Sequence, residues 1–441
     1  MIPLCFVLMP FGRKPADGGR EIDFDAVYAE IIKPAIVDAG LEPIRADEET
    51  VGGIIHKPMF ERLMLCDYAV ADLTTANPNV LYELGVRHGI RPHSTVVIFG
   101  RGTPLPFDVA PLHGLPYGLG KSGKPKAAGT DRAALARRLR DCREQKADSP
   151  VFQLVSDFPR PDIARLKTDV FRERVAEAKA AKDRLAAARR AGTAEAVAEV
   201  DRGLGIADAE AAVVVDLFLS YRAVSAWQAM VDLVPRMAPE LQRAVMIREQ
   251  LGLALNRLKR RDEAVAVLQE LINERGPSSE TNGILGRVHK DRWDEANAAA
   301  SPAAPGILRQ AIATYLAGFE ADWRDAYPGI NAVTLMTLAE PPDERRHDLL
   351  PVVRYAVQRR LAGKTPDYWD QATLLELAVL AGDRTGAGHA LADALALLRE
   401  GWEAETTARN LRLIRDAGTR RGEEVAWIAE IERGLTAQAA P

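Results

Sequence analysis

Ala71-Asp72-Leu73-Thr74-Thr75-Ala76-Asn77-Pro78-Asn79-Val80-Leu81-Tyr82-Glu83-Leu84-Gly85-Val86-Arg87-His88 is the stretch on which the fold turns. An apolar run from Tyr68 to Leu73 has the length and composition of a buried strand, and a polar loop ends it. Asn77 is a capping residue set directly before Pro78, the first helical position, where a missing N–H costs nothing. The helix predicted from there runs to His88. Strand, loop and helix in immediate succession form the repeating unit of a parallel sheet with crossover helices.

Outward from this unit the pattern repeats. Leu4 to Met9 is a short apolar strand. Phe24, Val27, Tyr28, Ile31, Ile32, Ala35 and Ile36 recur at helical spacing, with Pro34 late in the helix and Gly40 closing it. Leu41 to Ala46 and Thr95 to Phe99 are further strands, and Ile54 to Leu65 a further helix. In such sheets ligands bind beyond the carboxyl ends of the strands, so the loops after Met9, Ala46, Leu73 and Phe99 form a candidate rim. Gly118-Leu119-Gly120-Lys121-Ser122-Gly123-Lys124-Pro125-Lys126 looks like a phosphate loop but lacks the spacing of one, and reads as an exposed turn.

Beyond about residue 160 the chain turns rich in Ala, Leu, Glu and Arg and reads as helix after helix. Residues 162 to 203 form a charged helical hairpin broken at Gly192-Thr193. Leu251, Gly252, Leu255, Ala264, Leu268 and Pro277 fall at the spacing of a tetratricopeptide helix pair. Leu285, Gly286 and His289 restart that frame 34 residues on, with Ala311 and Tyr315 delayed 13 residues by an insertion, Asn297 to Gly306. A third, poorer copy is Leu377, Ala378, Ala390 and Leu397, with small Ala381 and Ala394 where Leu255 and Leu268 are large. The six tryptophans, at 227, 293, 323, 369, 402 and 427, fall in helical contexts and are expected to pack this array.

Composition bounds the rest. The 441 residues are 47% hydrophobic and 27% charged, which excludes a disordered chain. A net charge of −4 gives no global basic field for nucleic acid, and no apolar stretch is long enough to span a membrane. Met1 to Pro10 lacks a basic leader segment and reads as the first strand. Cys5, Cys66 and Cys142 are too few and too scattered for a disulfide framework, and a cytoplasmic location is the expectation. His56, His88, His93 and His113 have no metal-ligand spacing, so no metal is expected.

The chemistry concentrates on the opening stretch. Asn79 and Glu83, four apart, share a helix face near its amino end, where free N–H groups favour an anionic or polyhydroxylated ligand. A carboxylate so placed suits attack at a sugar anomeric carbon, as nucleophile or as stabiliser of positive charge. The alternative for Glu83 is a surface ion pair with Arg87 at i+4. Asp72, at a strand's carboxyl end, can bind ribose hydroxyls or act in acid/base work; equally it can cap the loop from Thr74 to Asn77. Asn77 and Asn79 can hydrogen-bond the same sugar, with helix capping the simpler role for Asn77. Arg45 and Asp47 end a strand at the same rim, where they bind ligand or pair with each other. Arg13, Lys14 and Arg20 can meet phosphates or form a solvated loop.

Two resemblances overlay this reading. Cys5-Phe6-Val7-Leu8-Met9-Pro10-Phe11-Gly12, Ile32-Lys33-Pro34-Ala35-Ile36, Arg45-Ala46-Asp47-Glu48, Ala71-Asp72-Leu73-Thr74 and Asn77 to Gly85 together resemble the bacterial nucleoside 2-deoxyribosyltransferase-like domains, relatives of TIR domains. That resemblance covers roughly residues 1 to 120. It implies that Glu83 acts at an N-glycosidic bond and that Pro10-Phe11-Gly12 touches base or phosphate. Arg87 departs from the small residue common among such relatives. Phe152-Gln153-Leu154, Pro161-Asp162-Ile163, Leu166 to Arg172, Gly286-Arg287-Val288-His289-Lys290-Asp291 and Tyr327-Pro328-Gly329-Ile330-Asn331 resemble the TRAFs-binding, tetratricopeptide-containing region of apoptosis-signal-regulating kinases and its bacterial counterparts. No kinase signature accompanies them. Those two motifs of the helical half can line a ligand site, or serve helix packing and turns.

The expectation is therefore an α/β parallel-sheet domain over residues 1–125, a helix and linker over 126–160, and an all-α tetratricopeptide-like domain over 161–441. The leading functional expectation is an N-glycosidase or glycosyltransferase acting on NAD, a nucleotide or a nucleoside, without a cofactor, regulated by the helical domain in a bacterial defence or stress-signalling system. The catalytic residues are Glu83 and Asp72; the binding residues are Pro10, Phe11, Gly12, Arg45, Asp47, Asn77 and Asn79. The alternative is a nucleotide-sensing module or protein-interaction scaffold that signals through the helices. Expected partners are a nucleotide-like small molecule, a protein bound by the helical domain, and further copies of the chain, with neither membrane nor nucleic acid.

Overall fold

The computed structural model describes residues 2–437 apart from 17–19, 46–55, 107–108, 110–113, 145, 156–157, 160–167, 208 and 364–366. The chain divides into two compact units, residues 1–226 with 236–244, and residues 227–235 with 245–441.

The first unit is built on β1 (Leu4–Leu8), β4 (Glu42–Arg45), β5 (Tyr68–Asp72), β6 (Thr95–Gly100) and β7 (Leu115–Tyr117), a five-stranded parallel sheet in the order β4-β1-β5-β6-β7. The strands are nearly all apolar because both faces are covered. Alternation along β1 shows this: Cys5 and Val7 enter one core with α1 (Phe24–Val27), α2 (Lys33–Asp38) and α5 (Ala128–Asp141). Leu4, Phe6 and Leu8 enter the other with α3 (His56–Leu65) and α4 (Pro78–Ile90). Between α1 and α2, Tyr28–Ile32 is a π turn. Pro34 has no N–H and its ring crowds the carbonyl one turn back, and the helix widens there, with Lys33 N–H donating to the Tyr28 carbonyl.

Two elements had no apolar signature. The antiparallel hairpin of β2 (Arg13–Ala16) and β3 (Arg20–Asp23) follows β1 where a polar loop was expected. β2 is exposed, so no hydrophobic alternation marks it. β7 is only three residues long. The short α6 (Pro150–Leu154) follows, and then α7 (Thr168–Ala191), α8 (Ala194–Arg202) and α9 (Ala211–Ala223) pack together. Gly192 at φ +71° and the Thr193 cap break the hairpin at the predicted place.

The second unit is all helix. After α10 (Trp227–Leu233), and with the short α11 (Pro239–Gln242) belonging to the first unit, come five successive helix pairs. They are α12 (Val245–Arg257) with α13 (Arg261–Arg275), α14 (Ser279–Ala298) with α15 (Ala304–Ala321), α16 (Ala326–Leu338) with α17 (Arg346–Gly363), α18 (Tyr368–Leu380) with α19 (Arg384–Ala396), and α20 (Gly401–Arg420) with α21 (Ile428–Ala437). Three are the predicted repeats. The insertion lengthens its own pair: α14 has 20 residues against 13 in α12. Leu255, Leu268, Leu285, Ala311, Tyr315, Leu377 and Ala390 are all buried, as repeat positions should be. The tryptophans divide: Trp293 is buried, whereas Trp323 and Trp402 are more than half exposed. Among the described residues no helix is long and apolar enough to cross a membrane.

Close approach sets the pairing of α14 and α15. A Cβ on Gly286 would sit 2.7 Å from the Tyr315 ring. Gly286→Ala is therefore expected to destabilise the second unit by about 1–3 kcal/mol, overpacking outweighing alanine's better helix propensity. Gly388→Ala on α19, where a Cβ meets nothing within 4 Å, should instead stabilise by about 0.5–1 kcal/mol. Urea unfolding of both variants measures the contrast.

Candidate functional site

The predicted rim forms in part. β1 lies between β4 and β5, so the strand order reverses direction at the β1–β5 boundary. A cavity of about 340 Å³ lies beyond the carboxyl ends of β5, β6 and β7, against the hairpin that follows β1. Its walls are the β2–β3 hairpin, Thr74 to Ala76 after β5, Arg101 to Pro104 after β6, and Leu119, Gly120 and Gly123 of the glycine-lysine loop. That loop is more than an exposed turn. It packs so closely on the hairpin that a Cβ on Gly123 would fall 1.9 Å from the Glu21 carbonyl oxygen, and Asp23 N–H donates to the Gly123 carbonyl at 3.1 Å. The loop after β4, with Asp47, lies outside the described residues, as do His113 and Pro161-Asp162-Ile163.

Among the described residues, none of the sequence-predicted ones lines this cavity. Asp72 is fully buried. One carboxylate oxygen accepts Thr74 N–H at 2.9 Å and the Thr74 hydroxyl; the other accepts the Tyr117 hydroxyl at 2.8 Å. Thr74 Oγ1 in turn accepts Gly100 N–H at 2.8 Å. This network ties the ends of β5, β6 and β7 together and makes Thr74 a fixed piece of the cavity wall. Asp72 thus takes the loop-capping position. Asn77 caps α4, its side chain accepting the N–H groups of Asn79 and Val80 at 2.9 and 3.4 Å. Asn79 is exposed and Glu83 half-buried on the second turn of the same helix.

Phe11, Gly12 and Arg45 do come together, in a cluster that includes two residues sequence reasoning passed over as ligands of Arg45. The guanidinium lies over the Phe11 ring at 4.9 Å and the Tyr28 ring at 4.6 Å, and pairs with Asp25. Gly12 N–H donates to Asp25 at 3.3 Å, and the Arg45 pairing holds that carboxyl below its ordinary value. Pro10 is buried beside them. Arg87 is wholly inside the fold: its guanidinium donates to the carbonyls of Leu63, Cys66 and Asp67 at 2.7, 2.8 and 3.2 Å, closing the carboxyl end of α3. Burial pushes it down to about 10. Arg87 therefore serves helix packing and is not among the residues walling the cavity.

In the second unit the two singled-out motifs meet. Lys290 is buried and its Nζ donates to Asn331 at 3.3 Å and Asn410 at 3.4 Å. Burial lowers its pKa, while the nearby Glu376 raises it. Asp291 accepts from Asn256 at 2.8 Å and from Arg287 at 2.9 Å. These bonds link α12, α14, α16 and α20, which is the packing role rather than a ligand site. No group of His, Cys, Asp and Glu among the described residues is placed to hold a metal ion.

Asp72 carries a pH signature. Burial pushes its carboxyl from the ordinary 3.8 to about 6. Between those values the native state holds a proton that the unfolded chain has lost, so this group's contribution to stability falls as pH rises. Asp72→Asn removes that dependence. Denaturation of the first unit at pH 4, 5, 6 and 7 should show the wild type's margin over the variant shrinking as pH rises; a constant margin would contradict it.

Parts of the chain are similar to known proteins. Part of the chain is 28% identical over 220 residues to the Caenorhabditis elegans mitogen-activated protein kinase kinase kinase nsy-1, covering 45% of this chain and 14% of that relative. A tetratricopeptide-repeat protein of Thermus thermophilus matches 45% of this chain and 97% of its own at 16% identity and a TM-score of 0.35. One from Parabacteroides merdae matches 60% and 98% at 11% identity and a TM-score of 0.35. The MAP3K TRAFs-binding domain model matches residues 80–431, from the first turn of α4 into α21, and the chain belongs to that family.

Proposed function

We propose that this chain is a protein-interaction module that takes up a signalling partner, of the TRAF type its family is described by, along its helical repeats. The observation that carries the reading is the family match, which spans all five helix pairs and ends only in the last helix. Exposed aromatics fit it. Trp402 and Trp323 stand more than half exposed, and the Trp402 ring lies 5.7 Å from that of Trp369, tilted by 41°. Large rigid rings held ready on a surface are the groups that dominate protein interfaces.

The hydrolytic reading draws no such support. Glu83, Asn77 and Asn79 are not among the residues walling the cavity, and both oxygens of Asp72 are committed to protein donors. Release of base from NAD or a nucleoside, abolished in Glu83→Gln, would reinstate it.

Calorimetry of the full chain with a purified TRAF protein tests the proposal. A saturable complex is expected, and Trp402→Ala with Trp323→Ala should weaken it by about 1–3 kcal/mol. Absence of any complex at tens of micromolar would overturn the reading.

A further inference from the structure

The α/β unit carries a cavity for which partner binding by the helices has no use. It lies beyond the carboxyl ends of β5, β6 and β7, the edge of a parallel sheet where ligands bind, and its volume of about 340 Å³ is that of a small-molecule site. Its chemistry is two-sided. Ile22, Leu119 and Pro104 supply an apolar wall. Arg101, Thr75 and Thr103 supply a guanidinium and hydroxyls, and Gly102, where a Cβ would meet nothing within 4 Å, leaves main chain open to a close-lying group.

Among the described residues the loops around the cavity are rich in cations. Lys121, Lys124 and Lys126 stand exposed on the glycine-lysine loop, Lys14 on the hairpin, and Arg101 on the loop after β6. The described carboxylates of the same loops are Glu21 in the cavity wall, Asp23, which pairs with Arg13, and Asp131, which accepts Gly118 N–H at 3.0 Å. Cations in excess on these loops, on a chain whose net charge is −4, concentrate anions near the cavity. A guanidinium with its planar fork of donors matches phosphate oxygens in particular.

We propose that this cavity binds a small phosphorylated molecule, its phosphate against Arg101 and the glycine-lysine loop and its uncharged body against Ile22 and Leu119. The Asp72–Thr74–Tyr117 network holds one wall in place, so the site is formed before the ligand arrives.

Calorimetric titration of the full chain with adenosine monophosphate, inorganic phosphate and adenosine tests this. Adenosine monophosphate should saturate, with affinity falling as salt is raised, and adenosine should bind at least about tenfold more weakly. Arg101→Gln should cost about tenfold, and Lys121→Gln with Lys124→Gln a smaller factor, with unchanged melting temperatures because these side chains are exposed. The proposal fails if neither phosphorylated probe saturates in the millimolar range, if adenosine binds as tightly as its phosphate, or if Arg101→Gln binds like the wild type.

Discussion

A carboxylate sealed from water has to spend its oxygens on donors, and in the first unit Asp72 spends them on Thr74 and Tyr117. Those partners come from the end of β5 and from β7, and Thr74 brings in Gly100 at the end of β6. Three strand ends are thereby fixed relative to one another at the edge of the sheet where ligands of doubly wound folds are found. The loops that continue from these strands inherit that fixation and wall the cavity. Asparagine at this position would fill the same space, but it has one acceptor oxygen where the carboxyl has two.

A second buried charge does comparable work one layer away. Arg87 reaches from α4 to the carbonyls that α3 leaves open at its end. A cation suits the negative end of a helix, and the bonds offset part of the cost of burying it. Both cases show ionisable residues in the most apolar part of the unit acting as structural ties. Neither contacts the solvent from which a substrate would come.

The helical unit is governed by a different constraint, the distance of closest approach between paired helices. Gly286 admits the Tyr315 ring where any side chain would collide, and Ala378 and Ala390 are buried at the thinner third repeat. Across the repeats, Lys290, Asn331 and Asn410 form a buried polar link between α14, α16 and α20. The array leaves its outer aromatics, Trp323 and Trp402, uncovered. Other large rings of the repeats, Trp293, Tyr315 and Tyr368, are packed inside.

Much of this was legible along the chain. The strands β1, β5 and β6, the helix α4 with its Asn77 cap, the break at Gly192-Thr193 and three of the five helix pairs follow from local rules: apolar runs, capping residues and helical spacing. What local rules could not supply was pairing. The β2–β3 hairpin is polar apart from Ile22, and β2 is exposed, so no apolar pattern marks it, although it forms one wall of the cavity. Asp72 and Arg45 read equally well as ligand groups until folding brought Tyr117 to the one, 45 residues away, and Asp25 to the other, 20 residues away. Periodicity and capping act over a single turn or strand, so the sequence by itself determined the elements and their class. Which polar side chains were left to face a cavity depended on partners far along the chain, and only the tertiary structure decided that.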